Sequence, residues 1–208
     1  MNKTISIVTL MIAGITLAGC GGSGTSVGGG TDRAMNMTTT AGSTAPFDRA
    51  FIDAMIPHHR SAIAMAQAAQ KEGLASPKLN MIAIDIGDSQ QKEIEQMLAW
   101  RAKWYGSRKL DPNAGKELGM SMAEMGMTHG SGDMTGSGGV VDQKFASMMI
   151  DHHKGAIAMA RMALESAEHP EIKALARAII AAQQREVKIM EPFAKKNGAH
   201  TMTGMSMG

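Results

Sequence analysis

Two stretches of the chain carry the same set of metal-binding side chains. The first contains Met55, the adjacent pair His58 and His59, and Met65; the second contains Met149, His152, His153 and Met159. In each, a methionine lies three residues before the first histidine and another seven after it. Spacings of three, four and seven return to one face of a helix, so each copy lines imidazoles and thioethers along one side. Neutral imidazole and thioether together form a soft ligand set. A single histidine on an apolar face is usually a core residue with a satisfied hydrogen bond. A pair repeated in both halves, with methionines at matching offsets, points to metal ligation instead. His58 can share a site with Met55 or Met65, and His152 with Met149 or Met159. Because neutral imidazole is the binding form, metal affinity is expected to fall as pH drops through roughly 6.

Glu93 and Glu186 interrupt otherwise apolar stripes, where an unpaired charge is costly. Folding each half at its turn brings Glu93 to the level of the first histidine pair and Glu186 to that of the second. Each carboxylate could fix the orientation of a ligating histidine, bind the metal itself, or reach solvent from the stripe edge. A third group of ligands lies in glycine-rich sequence: Met120, Met122, Met125, Met127, His129 and Met134 between the halves, and His200, Met202, Met205 and Met207 at the end. Flexible thioethers suit Cu(I) and Ag(I) far better than Zn(II), Mg(II) or Ca(II). The plainer reading of these segments is a linker and a tail of biased composition.

Four helices must position these groups. The periodicity predicts helices over residues 46–73, 77–105, 140–168 and 170–196. The second and fourth carry matching stripes: Leu79, Ile82, Ile86, Gln90, Glu93, Met97 and Trp100 against Ile172, Leu175, Ile179, Gln183, Glu186, Met190 and Phe193. Pro57 should kink the first helix, and Trp100, Trp104 and Tyr105 read as the packed end of the second. A repeat of this length indicates two related hairpins, 46–105 and 140–197, in an all-α four-helix bundle over 46–197. The intervening segment, 106–139, and the tail, 198–208, read as disordered Gly/Met-rich sequence.

The chain has 208 residues, a net charge of +2 and 44% hydrophobic residues, enough for a real core and with no basic excess to suggest nucleic acid. Its 21 methionines against 3% aromatics are the outlier. At the amino terminus, Lys3 is followed by an apolar run over residues 5–18 that ends in Leu17 and Ala18 and leads into Gly19 and Cys20. This resembles a bacterial lipoprotein signal, with residues 1–19 removed, Cys20 lipidated and 20–45 a flexible tether. Cys20 is the only cysteine, so the domain has neither a disulfide nor a thiolate site.

The two hairpins resemble the ferritin-like domain-of-unknown-function family 305, whose hallmark is a Met-x-x-His-His helix followed by Ala- and Met-rich turns. The resemblance covers about residues 46–105 and 140–197. It implies a four-helix bundle, export from the cytoplasm and copper binding, with a ligand role for His58, His59, His152 and His153 and for Met55, Met65, Met149 and Met159 beside them. Asp151 fits the family's Asp-His-His form, whereas Pro57 departs from it. The expectation is an envelope lipoprotein, anchored to a membrane through Cys20, that sequesters, buffers or relays copper, as Cu(I) ahead of Cu(II), and serves a copper-transfer partner. It is not expected to be an enzyme. Two alternatives stand: a di-metal oxidase in a ferritin-like bundle, and a Met-rich module that binds partner helices. The oxidase architecture uses Glu-x-x-His, and neither Glu93 nor Glu186 has a histidine three residues on.

Overall fold

The structure is a computed structural model that describes residues 46–136 and 138–194. The signal sequence, Cys20, the tether and the tail with His200, Met202, Met205 and Met207 lie outside the described residues. Four long helices are present: α1 (Pro46–Glu72), α2 (Pro77–Tyr105), α4 (Gly139–Ser166) and α5 (Pro170–Ala194), with a short α3 (Ala114–Glu117) and a 3-10 turn (Ser131–Met134) in the linker. The described residues contain no strand.

Local chemistry accounts for the boundaries. Ser76 caps α2 by accepting the Leu79 amide, and Pro77 occupies the first turn, where no amide is needed. Gly106, at φ 70°, ends α2 in the left-handed conformation and donates to the Ala102 carbonyl. Helix α1 runs as one element through Pro57, whose ring faces outward.

Reciprocal clamps fix how the hairpins pair. Asp48, in the first turn of α1, accepts the amides of Glu168 and His169 just beyond α4, and also faces His169 Nδ1 at 2.6 Å. Asp142, at the start of α4, accepts the amide of Ala75 just beyond α1. Each hairpin thus pins the turn of the other, and α1 and α4 must run antiparallel. Helix α1 packs between α2 and α4, and α4 between α1 and α5. Trp104 stacks on both Trp100 and His169 at the end of α2 where the first clamp lies, as expected of a packed helix end.

The core is divided. One apolar cluster contains Phe51, Met55, Ile94, Met97, Met159 and Ile179 among others; a second contains Met65, Leu79, Ile86, Phe145, Met149 and Met190. Between them, on the same four helices, sit the buried polar residues His58, His59, Gln90, His152, His153 and Gln183. A polar layer therefore crosses the middle of the bundle.

The linker corrects the expectation of a disordered segment. Arg101 holds Asp53 through two hydrogen bonds, and Asp53 also accepts the Asp111 amide, which anchors the linker's start to α1 and α2. Leu118, Met125 and Met134 are buried. Methionines in glycine-rich sequence find a core here because α4 has a glycine where the linker crosses it. A Cβ on Gly155 would lie 2.0 Å from the Met125 carbonyl oxygen, so only glycine permits the backbones to meet.

Candidate metal centre

All four paired histidines are fully buried. The backbone delivers them in two ways. His59 and His153 point toward the second helix of their own hairpins, where Nε2 lies 2.6 Å from Glu93 Oε2 and from Glu186 Oε2 respectively. His58 and His152 point at each other across the α1–α4 contact, with ring centroids 3.7 Å apart. His58 Nε2 donates to the Met125 carbonyl at 2.8 Å, a partner from the linker that the sequence did not suggest.

These bonds fix which nitrogen is free. A carboxylate or carbonyl can only accept, so Nε2 carries the proton in His58, His59 and His153, and in the neutral ring Nδ1 carries the lone pair. The Nδ1 atoms of all four histidines, and also Nε2 of His152, are buried with no hydrogen-bond partner, as are the side-chain oxygens of Gln90 and Gln183. Buried polar atoms normally find partners, and this many orphans in one layer is unusual. An imidazole oriented through one nitrogen by a carboxylate or carbonyl, with the other left free, is the arrangement by which proteins present histidine to metals.

The electrostatics keep the facing rings of His58 and His152 in binding form. Burial, reinforced by the neighbouring His59, pushes His58 down to about 3. Burial also lowers His152, with His58 the next contributor. The expectation that proton competition would begin near pH 6 is therefore corrected for His58: its lone pair stays available in considerably more acidic solution.

Other sequence candidates fall into distinct places. Met55 and Met159 lie in the cluster on one side of the histidine layer, Met65 and Met149 in the cluster on the other, and all four are buried. Glu93 and Glu186 retain 19% and 17% side-chain exposure, so each touches both histidine and solvent. His129 is an exposed residue 3.9 Å from Asp133. Met134, named among the loop ligands, is 1% exposed and belongs to the same apolar cluster as Phe145. Met120 and Met127 are partly buried, Met125 is buried and Met122 is exposed. Among the described residues, no three His, Cys, Asp or Glu side chains gather at one point suited to a metal ion.

Sequence reasoning named Met125 as a linker thioether but missed its carbonyl's bond to His58, and it missed Gly155 and the clamps at Asp48 and Asp142. A signal for Gly155 was present: the equivalent position in the first repeat is Ser61, so the glycine is specific to the half that receives the linker.

The histidine pairs, the helical hairpins and the four-helix arrangement define the class: the chain belongs to the family described as Domain of unknown function (DUF305), matching over residues 21–79 and 48–194. Among solved structures, CopM in its Cu(I)-bound form is similar at 29% identity and a TM-score of 0.55, covering 70% of this chain and 94% of that one. CopM in a silver-bound form matches at 28% identity and a TM-score of 0.57, covering 73% and 98%. A DUF305 crystal structure from Streptomyces coelicolor, at 23% identity and a TM-score of 0.66, covers 76% and 100% and shares the fold. Comparison with curated proteins finds no match.

Proposed function

We propose that this protein binds copper in the polar layer of its bundle and acts in the cell envelope to sequester, buffer or relay it. The observation that carries the reading is the set of buried, unpartnered Nδ1 atoms, three of them on rings oriented through Nε2. Glu93, Glu186 and the Met125 carbonyl hold those rings, and the Nδ1 atoms of His58, His59, His152 and His153 serve as ligands. Met55, Met65, Met149 and Met159 supply thioethers from the two flanking clusters. Zn(II) and Ca(II) centres ordinarily assemble three or more hard or borderline ligands at one point. A centre of a few imidazoles and thioethers suits Cu(I), with its low coordination number. CopM, structurally similar to this chain, has been seen with Cu(I), Cu(II) and silver bound.

The role is binding rather than catalysis. A carboxylate-bridged di-metal oxidase needs Glu-x-x-His pairs facing inward, and the two glutamates here are occupied with orienting histidines. The lipoprotein-like amino terminus supports a bundle held outside the cytoplasm on a membrane, with Cys20 as the lipidated residue. No helix among the described residues is long and apolar enough to cross one. Cu(I) titration against a competing chelator tests the reading, using the wild-type chain, a variant with all four paired histidines changed to alanine, and a truncation lacking the Met-rich tail. The reading predicts tight binding lost mainly in the histidine variant. Loss confined to the truncation would make the bundle a scaffold, and absence of binding in every form would sink the copper assignment.

A further inference from the structure

The linker stretch 122–127 contributes three methionines to one cavity of about 350 Å³, walled by Pro57 and Ala54 of α1 and by Gly115 of the linker itself. Their exposures are graded. Met122 is 54% exposed, Met127 is half-buried, and Met125 is 6% exposed. The thioethers therefore line a path from solvent inward. The innermost belongs to the residue whose carbonyl receives His58 Nε2.

The geometry is fixed by backbone bonds. The Met127 amide donates to the Met122 carbonyl at 2.8 Å, which closes a loop that brings those two residues together. The Met125 amide donates to the Ser121 carbonyl. Gly126, at φ 68°, lies so close to α4 that a Cβ there would be 2.3 Å from the Asp151 carbonyl oxygen. The Met125 side chain abuts Gly115, where a Cβ would come within 2.8 Å of its methyl group. Packing explains Met125 but not Met122, whose exposed, oxidisable side chain covers little of the core.

We propose that this cavity is a second soft-cation site, distinct from the histidine layer, in which Met122, Met125 and Met127 bind a thioether-seeking monovalent ion such as Cu(I) or Ag(I). It deepens the copper reading and rests on it. A neutral thioether set selects soft ions over Zn(II), Mg(II) or Ca(II) and requires no deprotonation, so its affinity is insensitive to pH.

The test uses Ag(I) as a redox-stable probe, with bound silver measured by mass spectrometry and the methionine methyl groups followed by carbon-13 NMR. The proteins are the full chain, the variant with Met122→Leu, Met125→Leu and Met127→Leu, and the variant lacking the four paired histidines. Leucine nearly conserves the volume, so the core is retained. The expected result is one equivalent fewer in the triple-leucine variant, and joint movement of the three methyl signals in the wild type and in the histidine variant. Unchanged silver uptake by the folded triple variant, or methyl signals that stay still while silver binds, overturns this site and leaves the histidine reading standing. No uptake by the wild type overturns both. Should the triple variant fail to fold, Met122→Leu alone, at an exposed position, is expected to weaken one equivalent about tenfold; no weakening overturns the proposal.

Discussion

Gly155→Ala isolates what the linker contributes to the bundle. In an exposed helix interior the change would stabilise by roughly 0.8–1 kcal/mol, because alanine restricts the unfolded chain and favours helix. At Gly155 the new methyl group would sit 2.0 Å from the Met125 carbonyl oxygen and 2.2 Å from its carbon. Both are backbone atoms, so the linker must lift away from α4. Lifting it breaks the His58–Met125 hydrogen bond and leaves a buried donor without a partner, a loss of about 1–3 kcal/mol. Exposing the Met125 side chain costs up to about 3 kcal/mol more. With the propensity gain offsetting part of this and the linker relaxing partway, the net destabilisation is about 2–4 kcal/mol. The assay is urea unfolding followed by circular dichroism, with thermal midpoint as a second readout; a domain of this size should lose roughly 5–12 °C. Gly87→Ala is the internal control. Gly87 also lies inside a long helix, but its Cβ would meet nothing within 4 Å, so stability should rise by roughly 0.5–1 kcal/mol. If both substitutions stabilise, the linker does not lie on α4 as described.

Asp48→Asn should destabilise by about 1–3 kcal/mol, since a fully buried carboxylate that accepts two amides and faces His169 is replaced by a weaker acceptor; urea midpoints measure this. Glu93→Gln and Glu186→Gln each remove a carboxylate that orients an imidazole, and Cu(I) competition should report affinities about 10- to 100-fold weaker, with little change in fold by circular dichroism. The metal-free protein should lose stability in acid. The unfolded chain protonates His58 near 6.5 whereas the native state resists down to about 3, so the unfolded state binds more protons between these values and stability declines as pH falls through them. Unfolding at fixed urea from pH 7 to 4 should show a slope of up to about 1.4 kcal/mol per pH unit from this residue, reduced in His58→Gln. A flat profile over that range would mean His58 titrates normally.

The helices were legible because their signals are local. Pro46, Gly73, Pro77, Gly106 and Pro170 punctuate strongly periodic segments, and each observed boundary falls within two residues of the expected one wherever the chain is described. The pairing of His59 with Glu93 and of His153 with Glu186 was also accessible, because folding a hairpin at its turn is arithmetic. What could not be read was contact between elements far apart in sequence. Glycine and methionine in residues 106–139 suggest disorder when judged by composition, yet the segment is ordered by a surface on α4 that only the folded bundle presents. The same limit hid Asp48 and Asp142, which look like ordinary first-turn acids until the opposite hairpin's turn arrives at each. The choice between nitrogens within each histidine pair depended on those long-range partners as well.

The proposed centre binds copper through buried Nδ1 atoms of the paired histidines, while Nε2 of His58, His59 and His153 stays protonated and hydrogen-bonded. Nitrogen-15 NMR of histidine-labelled protein, recorded before and after one equivalent of Ag(I) as a stand-in for Cu(I), tests it directly. The account predicts that Nδ1 signals from His58, His59, His152 or His153 move on binding, while the Nε2–H signals of His59 and His153 persist. Silver that binds without moving any of these Nδ1 signals, or that displaces the Nε2 protons facing Glu93 and Glu186, would contradict it.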